Sequence, residues 1–209
     1  MSNLFQRLYD ALIPQEMYDF YIELLKTFIG EDSIVIDCGC GSGRLTSQLE
    51  MLTHHIFAFD HDKHMIEIAK QKTRYTTYHV MDMHESWPFY GDVILMSLDV
   101  INFSKNPYQV LKHATQSILE HGVIVLDMYN PKAITSISEQ GIKPFPYTWH
   151  ARIEHSMLTH ELKIENESHN IIQYIHEPND IIQYMKTLGF NGEIKQSIDI
   201  RKHILIFYR

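Results

Sequence analysis

Residues 33–43 read Ser-Ile-Val-Ile-Asp-Cys-Gly-Cys-Gly-Ser-Gly, a short apolar stretch that ends in an aspartate and runs into a glycine-rich loop. The apolar stretch predicts a buried strand, and residues 44–52 predict a helix that leaves the loop. Three glycines at alternate positions (Gly39, Gly41 and Gly43) let the backbone pass close beneath a ligand where any side chain would collide. This segment therefore predicts a strand, loop and helix with a ligand site at the turn.

The spacing of these glycines separates two kinds of nucleotide site. The dinucleotide fingerprint places its second and third glycines three residues apart, which would require a glycine where Arg44 stands. That fingerprint also has no need of an acid two residues before its first glycine, the position of Asp37. A carboxylate there can pair with a cation, so a nicotinamide-dependent oxidoreductase is the less favoured interpretation.

Strand and helix patterns alternate on the carboxyl side of the loop. Short apolar stretches predict strands, and helical spacing of apolar residues predicts the segments between them. The predicted strands are 56–60, 77–81, 92–98 and 123–129, and the predicted helices are 63–72 and 107–120, the last ending at Gly122. This alternation predicts an α/β fold with a doubly wound, mostly parallel sheet and right-handed crossovers.

The two ends of the chain extend this unit. Residues 4–29 have helical spacing and are divided by Pro14, which predicts two helices, the second ending at Gly30. Residues 180–188 predict a further helix, and 193–199 and 203–208 predict two final strands, which bring the main sheet to seven.

Residues 147–176 alternate with a period of two, which predicts an antiparallel insert of three strands after strand five. One face of each strand is predicted to be apolar. The predicted faces are Trp149, Ala151, Ile153 and His155; Leu158, His160, Leu162 and Ile164; and Ile172, Tyr174 and His176.

The glycine loop and the acids beyond it resemble the class I S-adenosylmethionine-dependent methyltransferases over about residues 30–130. The resemblance implies that the loop cradles the methionine portion of the cofactor, that Asp60 holds the ribose hydroxyls, and that Asp82 meets the adenine amino group. His61 either stacks on adenine or is a solvated loop histidine. The cofactor-binding residues that the resemblance implies are Asp37, Gly39, Cys40, Gly41, Gly43, Asp60, His61, Asp82, Met83 and Ser97.

The outer parts are similar to small-molecule methyltransferases, including amino-sugar N-methyltransferases, which have an N-terminal helical lid with a Tyr-Asp pair and an antiparallel insert. The pair Tyr9-Asp10 and the insert fit that arrangement. We therefore expect one methyltransferase domain over 1–209, made of a helical lid, a cofactor-binding core, a substrate-covering insert and a final helix with two strands. The expected boundaries are 1–29, 30–132, 145–177 and 178–209.

The candidate catalytic residues are His160, as a base or a substrate contact, and Asp99. A histidine on an apolar face is more often a hydrogen-bonded core residue, and Asp99 could instead cap the helix that begins near Pro107. Further residues are candidates for contact with the acceptor, although core packing explains the aromatic ones equally well. These substrate candidates are Tyr9, Tyr18, Asn102, Trp149 and His155.

Composition limits the partners and the compartment. The 209 residues are 44% hydrophobic and 21% charged, with a net charge of −8, so we expect neither a nucleic-acid nor a membrane partner. The two cysteines, Cys38 and Cys40, lie too close together for a disulfide framework, and no histidine or cysteine spacing indicates a metal site. We expect a cytoplasmic monomer or homodimer.

The sequence leaves the methyl acceptor open. The favoured interpretation is an enzyme that methylates nitrogen or oxygen of a small molecule. The alternatives are an RNA or protein methyltransferase and a module that binds S-adenosylmethionine without catalysis. An open cavity beside the cofactor methyl would favour an enzyme, whereas a filled one would favour a binding module.

Overall fold

The computed structural model describes residues 3–142 and 145–209. Residues 1 and 2 of the predicted lid lie outside the described residues. The helices are α1 (Asn3–Leu12), α2 (Gln15–Leu25), α3 (Arg44–Leu49), α4 (Lys63–Lys72), α5 (Pro107–Ser117) and α6 (Pro178–Thr187), with a 3₁₀ turn at Val100–Phe103. The strands are β1 (Ile34–Cys38), β2 (His55–Asp60), β3 (Thr77–Val80), β4 (Gly91–Met96), β5 (Ile118–Tyr129), β6 (Ile137–Gly141), β7 (Tyr147–Glu154), β8 (Met157–Ile164), β9 (Glu167–Tyr174), β10 (Asn191–Gln196) and β11 (Lys202–Tyr208).

Seven strands form the main sheet in the order β10-β11-β5-β4-β1-β2-β3. The first five strands of the chain pair in parallel, β11 runs antiparallel to β5, and β10 runs antiparallel to β11. The predicted α/β fold with a mostly parallel seven-stranded sheet is confirmed. Strand order reverses between β1 and β4, and in such sheets ligands bind outside the carboxyl ends of the strands at that point.

Apolar side chains cover both faces of this sheet, as its continuous apolar strands predict. Val35 and Leu95 pack with α2 and α3 on one face. Ile36 and Ile94, their neighbours along the same strands, pack with α5 and α6 on the other. The helices thus hold the sheet from two sides and leave its carboxyl edge free to carry a site.

The boundary between α5 and β5 differs from the prediction. The helix ends at Ser117, and Gly122 lies inside β5 rather than closing the helix. A Cβ at Gly122 would lie 2.7 Å from the Asp92 carbonyl oxygen. The glycine therefore marks a close approach between neighbouring backbones, which a pattern of helix-ending residues does not distinguish from a cap. Helix α2 likewise ends at Leu25, before Gly30.

The antiparallel insert after β5 is confirmed, but it contains four strands rather than three. Its order is β6-β7-β8-β9, and β6 pairs with β7 along the outer edge. Residues 137–141 read Ile-Ser-Glu-Gln-Gly, which has too few apolar residues to show the period of a strand. The fourth strand depends on its pairing with β7 and not on its own sequence.

The third predicted strand of the insert has the opposite face buried. Ile171 and Gln173 of β9 pair with His160 and Leu158 of β8, so these four side chains share a face. Ile172 lies on the other face and is 47% exposed. The alternation of apolar residues was misleading here because a glutamine, Gln173, occupies a buried position.

Within the ranges 3–142 and 145–209, no helix is long and apolar enough to cross a membrane.

Candidate functional site

The glycine loop turns at the carboxyl end of β1. The backbone nitrogens of Gly39 and Cys40 both donate to the Phe59 carbonyl oxygen, at 2.8 and 3.1 Å, which fixes the loop against β2. Gly39 and Gly41 have φ values of 72° and 53°, a region that favours glycine. A Cβ at Gly41 would meet no atom within 4 Å, so this face of the loop is open.

The third glycine of the loop has a different role. Gly43 is the N-cap of α3 with φ 75°, and a Cβ there would lie 2.6 Å from the Ala69 Cβ of α4. Gly43 does not line the cavity above the loop. The structure explains this glycine by the packing of α3 against α4, and its expected cofactor contact stays a prediction.

Asp60, at the end of β2, faces the loop. Its Oδ2 accepts a hydrogen bond from the Gly41 backbone nitrogen at 3.0 Å, and its Oδ1 accepts one from the Asp62 nitrogen at 2.9 Å. The His61 ring lies on the outer side, with Nδ1 3.3 Å from Asp60 Oδ1 and a side chain that is 72% exposed. Backbone donors therefore hold the Asp60 carboxylate at the edge of the cavity.

Asp82 follows β3 and is held by the residue two positions later. Its Oδ1 accepts from both the backbone nitrogen and Nδ1 of His84, at 2.9 and 2.7 Å. The backbone hydrogen bond from His84 is the main reason that the pKa of Asp82 lies below its usual range. The carboxylate is therefore ionised at neutral pH and is a hydrogen-bond acceptor only.

Asp37 lies beneath the loop and is almost fully buried. Burial raises its pKa to about 6, although a hydrogen bond from Thr46 Oγ1 at 2.7 Å opposes the shift. The nearby Asp60 raises the pKa of Asp37 further. A cation bound above the loop would offset this excess of negative charge, whereas a pyrophosphate would add to it.

A cavity of about 340 Å³ lies over the loop and the ends of β1, β2 and β4. It brings together nine of the ten predicted cofactor residues, all except Gly43. These are Asp37, Gly39, Cys40, Gly41, Asp60, His61, Asp82, Met83 and Ser97. Its acceptors suit the groups of S-adenosylmethionine: carboxylates at Asp60 and Asp82 for hydroxyl and amino donors, and a negative floor for a cation. The residues present fit that cofactor.

A second cavity, of about 210 Å³, adjoins the first beneath the insert. Four residues line both cavities: Tyr9, Leu98, Phe103 and Ile171. Of the predicted catalytic and substrate residues, Asp99, His160 and Trp149 line the second cavity, Tyr18 the first, and Tyr9 both. The two cavities meet under α1 and the edge of the insert.

Asp99 and Lys202 form the charged floor of the second cavity. Lys202 Nζ lies 3.0 Å from Asp99 Oδ1 and 3.3 Å from Asp127 Oδ2, while the Asp99 backbone nitrogen donates to Asp127 Oδ1 at 2.9 Å. Burial raises the pKa of Asp99 to about 6 against the opposing effect of Lys202. Two carboxylates thus share one ammonium group.

His160 occupies the wall of the second cavity, but both its ring nitrogens are engaged. Trp149 Nε1 donates to Nδ1 at 3.0 Å, and Nε2 lies 2.9 Å from Gln173 Oε1. Because the indole is a donor only, Nδ1 must accept and Nε2 must carry the proton. Burial lowers the pKa of His160, which keeps the ring neutral. A ring in this arrangement has no free lone pair, so the geometry does not favour His160 as a base.

Two other substrate candidates lie away from the cavities. Asn102 is buried, donates from Nδ2 to the Tyr174 carbonyl oxygen at 2.6 Å and accepts from the Tyr129 nitrogen at 3.2 Å. It ties β9 to the end of β5 rather than facing an acceptor. His155 stands in the exposed turn between β7 and β8, with φ 57°, and lines neither cavity.

Helix α1 closes over the loop through a set of polar contacts. Asp10 accepts from Ser42 Oγ at 2.6 Å and from Lys72 Nζ at 2.9 Å. Arg44 donates to the carbonyl oxygens of Asp10 and Ile13 and lies 4.3 Å above the Tyr18 ring. These contacts place Tyr9 and Tyr18 over the site, as the predicted lid requires.

Several residues that line or support the site were not predicted. They are Asp127, Lys202, Gln173 and His84. A lysine at the start of a strand and an aspartate within one carry no sequence signal that they pair across the sheet. His84 had a local signal, since it follows an acid by two residues and could bond back to it. Among the described residues, no group of three or more histidine, cysteine, aspartate or glutamate side chains is arranged to hold a metal ion.

Comparison with known proteins agrees with this geometry. Residues 35–122 match a family described as "Methyltransferase domain". The chain is 22% identical over 141 residues to a putative methyltransferase, YqeM, of Bacillus subtilis strain 168; the match covers 64% of this chain and 57% of that protein. The chain therefore spans little more than half of the curated relative it matches.

Solved structures share the fold over almost the whole chain. The sugar N-methyltransferase KedS8 of a Streptoalloteichus species matches with a TM-score of 0.83 at 12% identity, covering 100% of this chain and 94% of that one. CalS10, an amino pentose methyltransferase of Micromonospora echinaspora solved with its S-adenosylmethionine, matches with a TM-score of 0.82 at 13% identity, covering 100% and 98%. At these identities the likeness establishes the fold.

Proposed function

We propose that this chain, whose residues 35–122 match the methyltransferase-domain family, is an S-adenosylmethionine-dependent methyltransferase that acts on nitrogen or oxygen of a small molecule. The observation that carries the proposal is the meeting of two cavities at Tyr9, Leu98, Phe103 and Ile171. One cavity has the acceptors that a nucleoside cofactor needs, and the other is open beside it. A module that only binds the cofactor has no need of the second cavity.

The chain's own residues would hold the cofactor by three kinds of contact. Asp60 would accept from the ribose hydroxyls, Asp82 from the adenine amino group, and the open face of Gly41 would let the backbone approach the methionine portion. When bound, S-adenosylmethionine supplies a methyl group already activated by its sulfonium. The protein's contribution is therefore to position the acceptor and exclude water.

The charge of the second cavity favours an amine as the acceptor. Asp199 and Arg201 neutralise each other through two hydrogen bonds, at 2.9 and 2.7 Å. Among the described residues, Lys202 is the one cation that faces both Asp99 and Asp127, which leaves one negative charge in surplus. An ammonium group would balance that charge, whereas a neutral hydroxyl would not. The printed names of KedS8 and CalS10, a sugar N-methyltransferase and an amino pentose methyltransferase, support the same choice.

The walls of the second cavity suit such an acceptor. Aromatic rings of Tyr9, Phe103, Tyr129 and Trp149 line it, and a cation is attracted to the face of an aromatic ring. Asp99 would bind the ammonium and take its proton, which exposes the lone pair for attack. A carboxylate with a pKa raised to about 6 is a better proton acceptor than an ordinary aspartate.

The remaining features follow from this assignment. We propose that the lid, the core, the insert and the final strands act as one domain, because the second cavity draws residues from all four. The net charge of −8 and the small cavity favour a small-molecule acceptor over RNA or protein. We place the protein in the cytoplasm as a monomer or homodimer.

The direct test is transfer of a labelled methyl group from S-adenosylmethionine to a metabolite extract, fractionated into amines and neutral compounds. We expect label in the amine fraction. Label in an RNA or protein fraction alone would overturn the small-molecule assignment. Tight cofactor binding with no transfer to any fraction would favour the binding module instead.

A further inference from the structure

Three polar side chains link the loop after β3 to the residue that follows the 3₁₀ turn, and the function described above uses only one of them, Asp82. His84 Nδ1 lies 2.7 Å from Asp82 Oδ1, and His84 Nε2 lies 2.8 Å from Ser104 Oγ. The sequence Asp-His-Ser is that of a nucleophilic triad, but Ser104 is fully buried, so its hydroxyl cannot meet a substrate. These hydrogen bonds must therefore act on the end that a ligand can reach, which is Asp82 at the rim of the first cavity.

The direction of the hydrogen bond between His84 and Asp82 is fixed. Asp82 is ionised and can only accept, so His84 Nδ1 carries a proton and donates it. Ser104 Oγ accepts from the Asn106 backbone nitrogen at 3.1 Å and lies within hydrogen-bond distance of His84 Nε2. The His84 ring is therefore held between two partners, with Nδ1 as the donor to Asp82.

The backbone of His84 is held as firmly as its ring. Its carbonyl oxygen accepts from Gln109 Nε2 at 2.9 Å and from His113 Nε2 at 3.1 Å, both on α5. The neighbouring Met83 carbonyl accepts from Trp87 Nε1 at 3.1 Å. The position of the His84 ring is thus set by the core helix and not by solvent.

This arrangement commits one oxygen of Asp82 and leaves the other for a ligand. Oδ1 accepts two hydrogen bonds from His84. In the described part of the chain, Oδ2 has no hydrogen-bond partner. We propose that His84 is a positioning residue that presents Asp82 Oδ2 as a fixed acceptor, so that the site selects a purine with an amino group over one with a carbonyl at the same position. The inference rests on the proposed function, since it assumes that the nucleoside of the cofactor lies beside Asp82.

The physical reason for selection is that two acceptors repel. An amino group donates to a fixed carboxylate oxygen, whereas a carbonyl oxygen placed there leaves both groups without a donor in a partly closed site. Without the His84 ring, Asp82 keeps only the backbone hydrogen bond to Oδ1. The cost of ordering its side chain then falls on a ligand that donates to Oδ2 and not on one that makes no such bond.

The test is calorimetric binding of S-adenosylhomocysteine and of S-inosylhomocysteine, whose bases differ at position 6 (amino against carbonyl) and at N1, which accepts in adenine and carries a hydrogen in hypoxanthine. The change of their affinity ratio in a His84 variant isolates the part that depends on Asp82. The wild-type protein should bind the adenosyl compound about 10- to 100-fold more tightly, the range for a hydrogen bond to a charged group. His84→Leu should lower that ratio by about 2- to 10-fold. His84→Asn should restore most of it, because an amide nitrogen can replace the Nδ1 donor.

Two features keep the test decisive. A general change of the loop would weaken the binding of both ligands alike, so it would leave the ratio of their affinities unchanged. His79→Leu removes another half-buried histidine, on β3 and outside both cavities, and should leave the ratio unchanged. If His84→Leu fails to fold, Ser104→Ala takes its place, since it removes the partner of Nε2 and lets the ring turn away from Asp82, which should also lower the ratio.

The outcomes separate this inference from the function on which it rests. Equal binding of the two compounds to the wild type would overturn the inference alone. So would an unchanged ratio in His84→Leu, or in Ser104→Ala when that variant carries the test. Failure of the wild type to bind either compound would overturn the proposed function and the inference together.

Discussion

The two cavities are built in different ways, although they share a wall. In the cofactor cavity, backbone donors hold the carboxylates. Asp62 and His84 each donate to the acid two residues before them, and Gly41 donates to Asp60 from the neighbouring strand end. In the second cavity, charged side chains hold each other across long separations, and Asp127 and Lys202 are 75 residues apart. The first site combines short motifs at neighbouring strand ends, whereas the second depends on pairs between residues far apart in the sequence.

The difference matters for stability as well as for recognition. Backbone donors are supplied by the loops whatever the side chains are, so a cofactor-site substitution should change binding more than folding. The second cavity places charges in the interior, where removal of one partner leaves another charge buried without compensation. Substitutions there should therefore change folding first.

The largest effect should come from Lys202→Met, which leaves Asp99 and Asp127 buried without a cation. We expect the free energy of unfolding to fall by about 3–5 kcal/mol in urea denaturation at pH 7.5. The matched control is Lys195→Met, whose 3.1 Å pair with Glu193 is exposed and should contribute no more than about 1 kcal/mol. Similar losses of unfolding free energy in the two variants would mean that burial of Asp99, Asp127 and Lys202 does not distinguish the second cavity.

The glycine loop offers a comparison within the first site. Gly43→Ala should lower the free energy of unfolding by about 2–4 kcal/mol, because it combines positive φ with a 2.6 Å approach to Ala69. In Gly41→Ala the added methyl group meets no atom, so the free energy of unfolding should fall by only about 1–2 kcal/mol, because of the positive φ.

Cofactor affinity should show the reverse order for these two glycines. The methyl group of Gly41→Ala would enter the cavity and weaken binding of S-adenosylhomocysteine, whereas Gly43→Ala should bind it almost normally once folded. Calorimetry on both variants, beside thermal unfolding, checks the pair. A stronger loss of binding in Gly43→Ala than in Gly41→Ala would mean that Gly43 belongs to the ligand site after all.

The smallest expected effect is a dependence on pH. Asp99 accepts a proton only when ionised, so kcat/KM for an amine acceptor should fall about tenfold per pH unit below pH 6. The measurement needs saturating S-adenosylmethionine, because the pKa of Asp37 is also about 6 and would affect cofactor binding. Asp99→Asn should remove this acidic limb along with most of the activity.

Stability provides the control for the Asp99 variant. The folded pKa of about 6 lies above the usual value of 3.8, so ionisation of Asp99 costs folding energy as pH rises through that interval. Asp99→Asn also leaves Lys202 paired with Asp127. The variant should thus be no less stable than the wild type above pH 6, and a marked loss of stability there would contradict the assigned charges.

The sequence allowed prediction of most of the fold and of the first cavity for the same physical reason. Apolar strands, helical spacing and a glycine turn are local patterns, and Asp60 and Asp82 stand at strand ends that a parallel sheet must bring together. Residues Lys202 and Asp127 could not be found, because pairing across a sheet depends on strand order and register. Gln173 was missed because a polar residue on a buried face breaks the alternation that a strand prediction uses.

His160 shows most clearly the limit of prediction from the sequence. Its place on the apolar face of β8 was predicted correctly, and it lines the second cavity. Its chemistry is decided by Trp149 and Gln173, one on each neighbouring strand, which occupy both ring nitrogens. Spacing along one strand cannot reveal the partners that two other strands provide.

The central claim is that the glycine-loop cavity holds S-adenosylmethionine with Asp60 on its ribose. Its most direct test is calorimetric titration of the wild type and of Asp60→Ala with S-adenosylmethionine, and of the wild type with NAD. We predict binding of S-adenosylmethionine to the wild type, a loss of about 1.5–3 kcal/mol in Asp60→Ala, and no binding of NAD. Binding of NAD without S-adenosylmethionine, or unchanged affinity in Asp60→Ala, would contradict the account.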